Sequence, residues 1–183
     1  MSEDPELSRR QVVKWLWRVP VIAVLGGAGY GLYEAINVHF LKRRPTARPR
    51  FTPVTSVAVA PVARFAAAWD AAEFTLGTMP ALALRLPGPI PGGLDVGDVH
   101  LAAFSRVCTH QQCITSLNTD VAAINFGFNY NTESPAITCP CHLSVFDPKQ
   151  AGMAVSGPAV EPLPRVRIEL DGDAVIATGI ESS

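Results

Sequence analysis

Two hydrophobic regimes divide the chain. From Val19 to Leu41 apolar residues run almost unbroken, and Glu34 is the only formal charge. At a rise of ~1.5 Å per residue this stretch crosses a hydrocarbon core of ~30 Å, so residues 19–41 are expected as one transmembrane anchor helix. Trp15, Trp17, Tyr30 and Tyr33 sit near its ends, where amphipathic rings favour the membrane interface. Gly27 and Gly31 have the spacing that lets a second helix approach closely, a spacing that export signals also tolerate. From Thr55 onward, short apolar runs alternate with Gly, Pro, Asn and Asp. Ala81–Leu86, His100–Phe104, Arg165–Leu170 and Ala174–Ala177 read as strands, the last two joined by the turn Asp171-Gly172-Asp173. Phe65–Phe74 is expected as a short helix. The pattern predicts a mainly antiparallel β domain over residues 55–183, preceded by one transmembrane helix.

Between these regimes lies a basic stretch interrupted by Pro45, Pro49 and Pro53. Proline disfavours helix there, so residues 42–54 are expected as an extended linker or hinge. At the other end, Ser8-Arg9-Arg10-Gln11-Val12-Val13-Lys14 resembles a twin-arginine export signal, within a cytoplasmic segment of residues 1–18. No small-x-small cleavage site follows the apolar core closely, since Ala58-Val59-Ala60 is too distant, which favours an uncleaved anchor. Basic residues flank both sides of the helix, so the positive-inside rule does not choose an orientation. The export pattern does, placing the N-terminus in the cytoplasm and the β domain on the extracytoplasmic, periplasmic side of the inner cell membrane.

Charge sharpens the division. Residues 1–50 hold nine basic and four acidic side chains, whereas residues 51–183 hold six basic and twelve acidic ones. No basic footprint for nucleic acid is present. An acidic head suits a basic docking partner, and it equally suits simple solubility.

The four cysteines fall in two tight clusters, Cys108-Thr109-His110-Gln111-Gln112-Cys113 and Cys139-Pro140-Cys141-His142-Leu143-Ser144. Disulfides that staple a secreted domain are usually spread along the chain, so clusters with interleaved histidines point to a metal centre. Each loop offers a thiolate and an imidazole at short range. Zinc held by two cysteines and two histidines would use four of these six residues and leave one cysteine spare in each loop.

The two clusters resemble the boxes C-T-H-x-G-C and C-P-C-H-G-S of the disulfide-containing Rieske iron–sulfur proteins. The resemblance implies a Rieske-type β domain with a cluster-binding subdomain, its loops spanning residues 106–146, and a [2Fe–2S] cofactor. Cys108 and Cys139 would ligate one iron, His110 and His142 the other, and Cys113 and Cys141 would form a disulfide. A disulfide fits an oxidising compartment, and folded export lets a cluster be inserted before transit. Ser144 matches the family serine that hydrogen-bonds a bridging sulfide. Phe146 stands where many relatives carry a tyrosine that donates to a ligand cysteine, which implies a lower potential. Gly157 and Pro158 resemble the start of the proline loop that covers the cluster.

The boxes also depart from the family pattern. Gln112 and Leu143 replace glycines, Gln111 replaces an apolar neighbour, and twenty-five residues separate Cys113 from Cys139. None of these changes touches a ligand, but all alter the tip that meets a partner.

The resemblance implies a one-electron carrier: the Rieske subunit of a cytochrome bc-type quinol:cytochrome c oxidoreductase. There His110 and His142 would face the membrane quinol, beside a cytochrome b-type subunit, and a c-type cytochrome would accept the electron. The alternatives are the small Rieske subunit of a periplasmic molybdenum oxidoreductase resembling arsenite oxidase, favoured by Leu143 and Phe146, and a structural zinc-binding membrane adaptor. A Rieske oxygenase is disfavoured, because so short a chain leaves no second iron site.

Overall fold

The computed structural model describes residues 9–182. The chain divides into two units, residues 1–40 and 41–183. The described part of the first is a single helix, α1 (Arg9–Phe40), with Pro20 inside it. Its stretch Val12–Tyr33 is long and apolar enough to cross a membrane, and its side chains are exposed there. That window lies several residues nearer the N-terminus than the expected 19–41. Trp15, Leu16 and Trp17 extend it on one side, while Glu34, Asn37 and His39 dilute it on the other. The arginine pair Arg9-Arg10 occupies the first turn of α1, and Ser8, the start of the export pattern, lies outside the described residues.

The second unit is built from two antiparallel sheets. Its strands are β1 (Phe51–Pro61), β2 (Ala71–Leu76), β3 (Met79–Leu86), β4 (Leu94–Val96), β5 (Val99–Ser105), β6 (Ser116–Asn118), β7 (Ala136–Cys139), β8 (Ser144–Asp147), β9 (Met153–Ser156), β10 (Arg165–Asp171) and β11 (Ala174–Glu181). The larger sheet runs β1-β11-β10-β5-β3-β2, with β4 pairing β5; the smaller runs β6-β7-β8-β9. All four strand runs read from the sequence are strands, and β10 and β11 form the expected hairpin. Ala81, Ala83, Leu101, Ala103, Val166, Ile168, Val175 and Ala177 bury one core of the larger sheet. A second core joins residues of β3 and β5 to the small sheet, with Leu84, Phe104, Ile137, Phe146 and both unbridged cysteines in it.

The short helix expected over Phe65–Phe74 does not form. Val62–Arg64 make a single tight turn, Trp69 adopts a left-handed φ of 73°, and Ala71 onward belongs to β2. The alanine-rich sequence favours helix locally, but registry of Ala71–Leu76 with β3 gives its backbone a cross-strand partner and buries Leu76. Residues 51–54, read from sequence as the end of the linker, begin β1, where Phe51, Thr52 and Pro53 pair with Glu181, Ile180 and Gly179 of β11. The long interval between the boxes includes, between β6 and β7, a helix α2 (Val121–Gly127) capped by the Asp120 side chain, which accepts from Ala123 N at 3.0 Å. Ile124 of α2, with Phe128 and Tyr130, packs on Ala136 and Val145 behind the small sheet. Burial and the nearby Asp147 carboxylate push the Tyr130 phenol above its ordinary range.

Candidate metal centre

Each cysteine–histidine box is the turn of a hairpin. In the first, Val107 bridges Ile114, Cys108 N donates to Cys113 O at 2.8 Å, and Gln112 N donates back to Cys108 O at 2.9 Å. In the second, Cys139 closes β7, Ser144 opens β8, and the two are cross-strand partners. Both turns need one residue in the left-handed region, and those residues are Gln112 and Leu143, each at φ 58°. They are the positions where the sequence departs from the family's glycines. The backbone geometry is therefore kept without glycine, at a cost of ~1–2 kcal/mol per site.

The turns sort the donors by depth. Cys108 and Cys139 are 2% and 1% exposed, whereas His110 and His142 lie at the surface. The two imidazoles meet edge to face with centroids 5.0 Å apart. Cys108 and Cys139 are free thiols. Burial pushes the Cys108 thiol above its ordinary range, opposed by a backbone hydrogen bond from His110 and reinforced by Cys139. Such a buried thiol gives up its proton when a metal binds. Cys113 and Cys141 are joined as a disulfide across 28 residues, tying one turn to the other. Its sulfurs lie within 4.8 Å of that of Cys139.

Two buried thiols and two exposed imidazoles would suit a two-iron cluster with sulfur ligands on one iron and nitrogen ligands on the other. A model of the Rieske [2Fe-2S] domain matches residues 91–167. The chain is a Rieske iron–sulfur protein. It is 38% identical over 78 residues to the cytochrome bc1 complex Rieske iron-sulfur subunit of Corynebacterium glutamicum, covering 42% of this chain and 16% of that one. It is 44% identical over 95 residues to the iodate reductase subunit IdrB of Denitromonas iodatirespirans, covering 51% and 45%. To the putative respiratory nitrate reductase subunit Rieske of Haloferax mediterranei it is 35% identical over 78 residues, covering 42% and 29%. The match spans less than half the length of each of these relatives. Among solved structures, the soluble domain of the Rieske protein II from Sulfolobus acidocaldarius shares the fold, with a TM-score of 0.52 at 22% identity over 69% of this chain and 78% of that one.

The cofactor of a Rieske domain is a [2Fe–2S] cluster, and the donors present here suit it. Around them the small sheet presents one face. Ile137 opposes Phe146 and Cys139 opposes Ser144, so the side chains of Cys139, Ser144 and Phe146 share that face, while Val145 turns to the α2 side. Ser144 and Phe146 are fully buried.

Gly157 and Pro158 open a loop to Pro164 that lies on the ligand turns. A Cβ on Gly157, whose φ is 74°, would stand 2.6 Å from both Leu143 O and Ser144 Cα, so glycine is required for this approach. Ala159 N donates to Ser144 Oγ at 3.2 Å, and Thr109 Oγ1 donates to Glu161 O at 2.7 Å. Both cluster boxes thereby hold the proline loop. Pro158 itself is exposed.

Sequence reasoning missed the other side of that loop. Lys42 Nζ donates to Gly157 O and Ala159 O at 2.5 Å each, Arg43 N donates to Val160 O at 3.0 Å, and the Arg43 guanidinium pairs with Glu161 at 2.8 Å. Farther along, the buried Arg165 donates to Thr46 O at 3.0 Å and to Pro91 O at 2.7 Å, and pairs with Glu181 at 2.6 Å. A basic, proline-broken run carries no composition signal that it will dock.

Proposed function

We propose that this Rieske protein is the electron-carrying subunit of a cytochrome bc-type quinol:cytochrome c oxidoreductase. Cys108 and Cys139 would hold one iron of the cluster and His110 and His142 the other. When bound, the cluster supplies a one-electron acceptor whose electron affinity is linked to the protonation of its imidazoles. The observation that carries the reading is the sorting by depth: thiols sealed in the core, imidazoles 5.0 Å apart on the surface. With one ring nitrogen of His110 or His142 on iron, the exposed outer nitrogen could accept a hydrogen bond from a quinol hydroxyl only once it had lost its own proton, and would then take the proton released as the electron passes to the cluster. The partners on this reading are the membrane quinol, a cytochrome b-type subunit and a c-type cytochrome.

Membrane attachment through α1 and an extracytoplasmic head belong to the same reading. The Cys113–Cys141 disulfide suits an oxidising compartment, and the arginine pair at Arg9-Arg10 suits twin-arginine export.

One observation favours a second reading, the small Rieske subunit of a molybdenum oxidoreductase. The stretch expected as a free hinge is strapped to the head through Lys42, Arg43 and Thr46, which suits a subunit that docks firmly. Relatives named as iodate and nitrate reductase subunits lend it support. The structural zinc adaptor is not retained, since a Rieske domain calls for iron.

Solubilising native membranes mildly and purifying the full chain through a tag separates the two readings. Co-purification of b-type haem, with antimycin- or stigmatellin-type sensitivity of quinol:cytochrome c reduction, is expected. Recovery of a molybdenum subunit without b-type haem would shift the assignment to the second reading.

A further inference from the structure

We propose that Lys42 is a positioning residue for the cluster, acting through the proline loop on Ser144. It rests on the ligand assignment above and is independent of which complex receives the electron.

The contacts form a relay. Lys42 Nζ donates to the carbonyls of Gly157 and Ala159, which brackets the peptide units around Pro158 from outside. The same Ala159 residue donates its N–H inward to Ser144 Oγ. A serine hydroxyl has one proton and two acceptor sites. Once Ala159 occupies an acceptor site, the Ser144 proton is turned toward another partner. Ser144 is fully buried and directly opposite Cys139 across the hairpin, so the remaining space around its hydroxyl is the cluster side of the sheet. A donor held there favours the more negative, reduced cluster.

The loop has little freedom to compensate. Gly157 packs at backbone distance on Leu143 and Ser144, so an outward shift of the loop opens that contact and draws Ala159 N from Ser144 together. Chain geometry alone does not fix the loop's outer side. Arg43 N holds Val160 O and Thr109 holds Glu161 O, and Lys42 adds the restraint on either side of Pro158, with an ammonium whose charge strengthens both hydrogen bonds.

Arg43 provides a built-in control. It carries the same charge one residue away, but its guanidinium pairs with Glu161 at an exposed site, 73% and 45% accessible. Such pairs contribute little, and its backbone N–H to Val160 O survives any side-chain change. Loss of charge at position 43 therefore reports on electrostatics without the relay.

The test uses the full-length holoprotein in detergent, with three variants, Lys42→Met, Lys42→Arg and Arg43→Gln. Redox titration followed by low-temperature EPR gives the midpoint, and hydrogen exchange gives the protection of the Ala159 amide. In Lys42→Met the reduced-to-oxidised ratio at the wild-type midpoint is expected to fall about three- to tenfold, the upper figure being ~59 mV for a one-electron couple. Ala159 should exchange about tenfold faster. Lys42→Arg should recover most of both effects, and Arg43→Gln should produce neither. An unchanged midpoint in Lys42→Met overturns the proposal, and so does an equal fall in Arg43→Gln, which would mean charge alone. Absence of a Rieske EPR signal in the wild type would instead remove the ligand assignment, and unaltered Ala159 exchange would then dispose of the relay as well.

Discussion

Replacing Phe146 by tyrosine adds one hydroxyl to the most consequential buried ring of the cluster subdomain. Phe146 is fully buried in β8, paired with Ile137 on one side and Ala154 on the other. Its ring belongs to the same packed group as Cys108 and Cys139. Water cannot reach a hydroxyl placed there, so it must find a protein acceptor or stay unsatisfied. The side-chain acceptors on that side of the sheet are the cysteine sulfurs and the Ser144 hydroxyl.

These alternatives have different signatures. A hydroxyl that donates to a ligand sulfur strengthens as the cluster gains negative charge on reduction. If the bond is about 1–1.4 kcal/mol stronger in the reduced state, within the range for hydrogen bonds to charged groups, the midpoint rises by about 40–60 mV. Folding stability then changes by less than about 1 kcal/mol, because the hydroxyl is satisfied. A hydroxyl with no acceptor leaves the potential where it was and destabilises the fold by about 1–3 kcal/mol. EPR redox titration and denaturant unfolding of the same Phe146→Tyr preparation measure both quantities. A midpoint that is unchanged or lower, together with a loss of stability, would refute the placement of Phe146 beside the ligand sulfurs.

Other consequences are as direct. Leu143→Gly relieves a left-handed residue whose side chain is 47% exposed, so unfolding stability should rise by about 1 kcal/mol in a denaturant titration. Changing Cys113 and Cys141 together to serine opens a 28-residue loop, and chain entropy sets the loss at about 3.5 kcal/mol; iron release timed by visible absorbance should be faster as well. Arg165→Met strands the largely buried Glu181 and should cost about 3 kcal/mol, read as a lower unfolding midpoint.

What the sequence disclosed depended on how local its cause was. The boxes were legible because a thiol and an imidazole two or three residues apart have few other uses, and the disulfide partners followed from the resemblance. The β10–β11 hairpin was legible because Asp171-Gly172-Asp173 supplies the left-handed glycine its turn requires, with Gly172 at φ 65°. Phe65–Phe74 was misread because its alanines report helix propensity, whereas pairing with β3 decides. Gln112 and Leu143 read as departures that alter the tip meeting a partner, and the backbone there keeps the conformation glycine would take. The strap was hidden for a different reason. Lys42 reaches carbonyls 115 and 117 residues away, and a carbonyl has no letter of its own in a sequence.

That strap bears on the choice between the two complexes. A carrier that moves between a quinol site and a haem needs a length of chain free to change shape, and residues 42–54 were its candidate. Yet Lys42, Arg43 and Thr46 are held by the head, and β1 begins at Phe51. The hold is uneven. The Arg43–Glu161 pair is exposed and contributes little, whereas Thr46 is anchored by an arginine that is 1% exposed. Release would thus stop at Thr46, and the Lys42 contacts decide whether it reaches the proline loop. Breaking the Lys42 contacts would free the proline loop and, through Ala159 and Ser144, lower the affinity of the cluster for its electron. A head that lets go of its strap would become a better donor as it moved. A head that keeps it would hold one potential throughout, as a fixed relay requires.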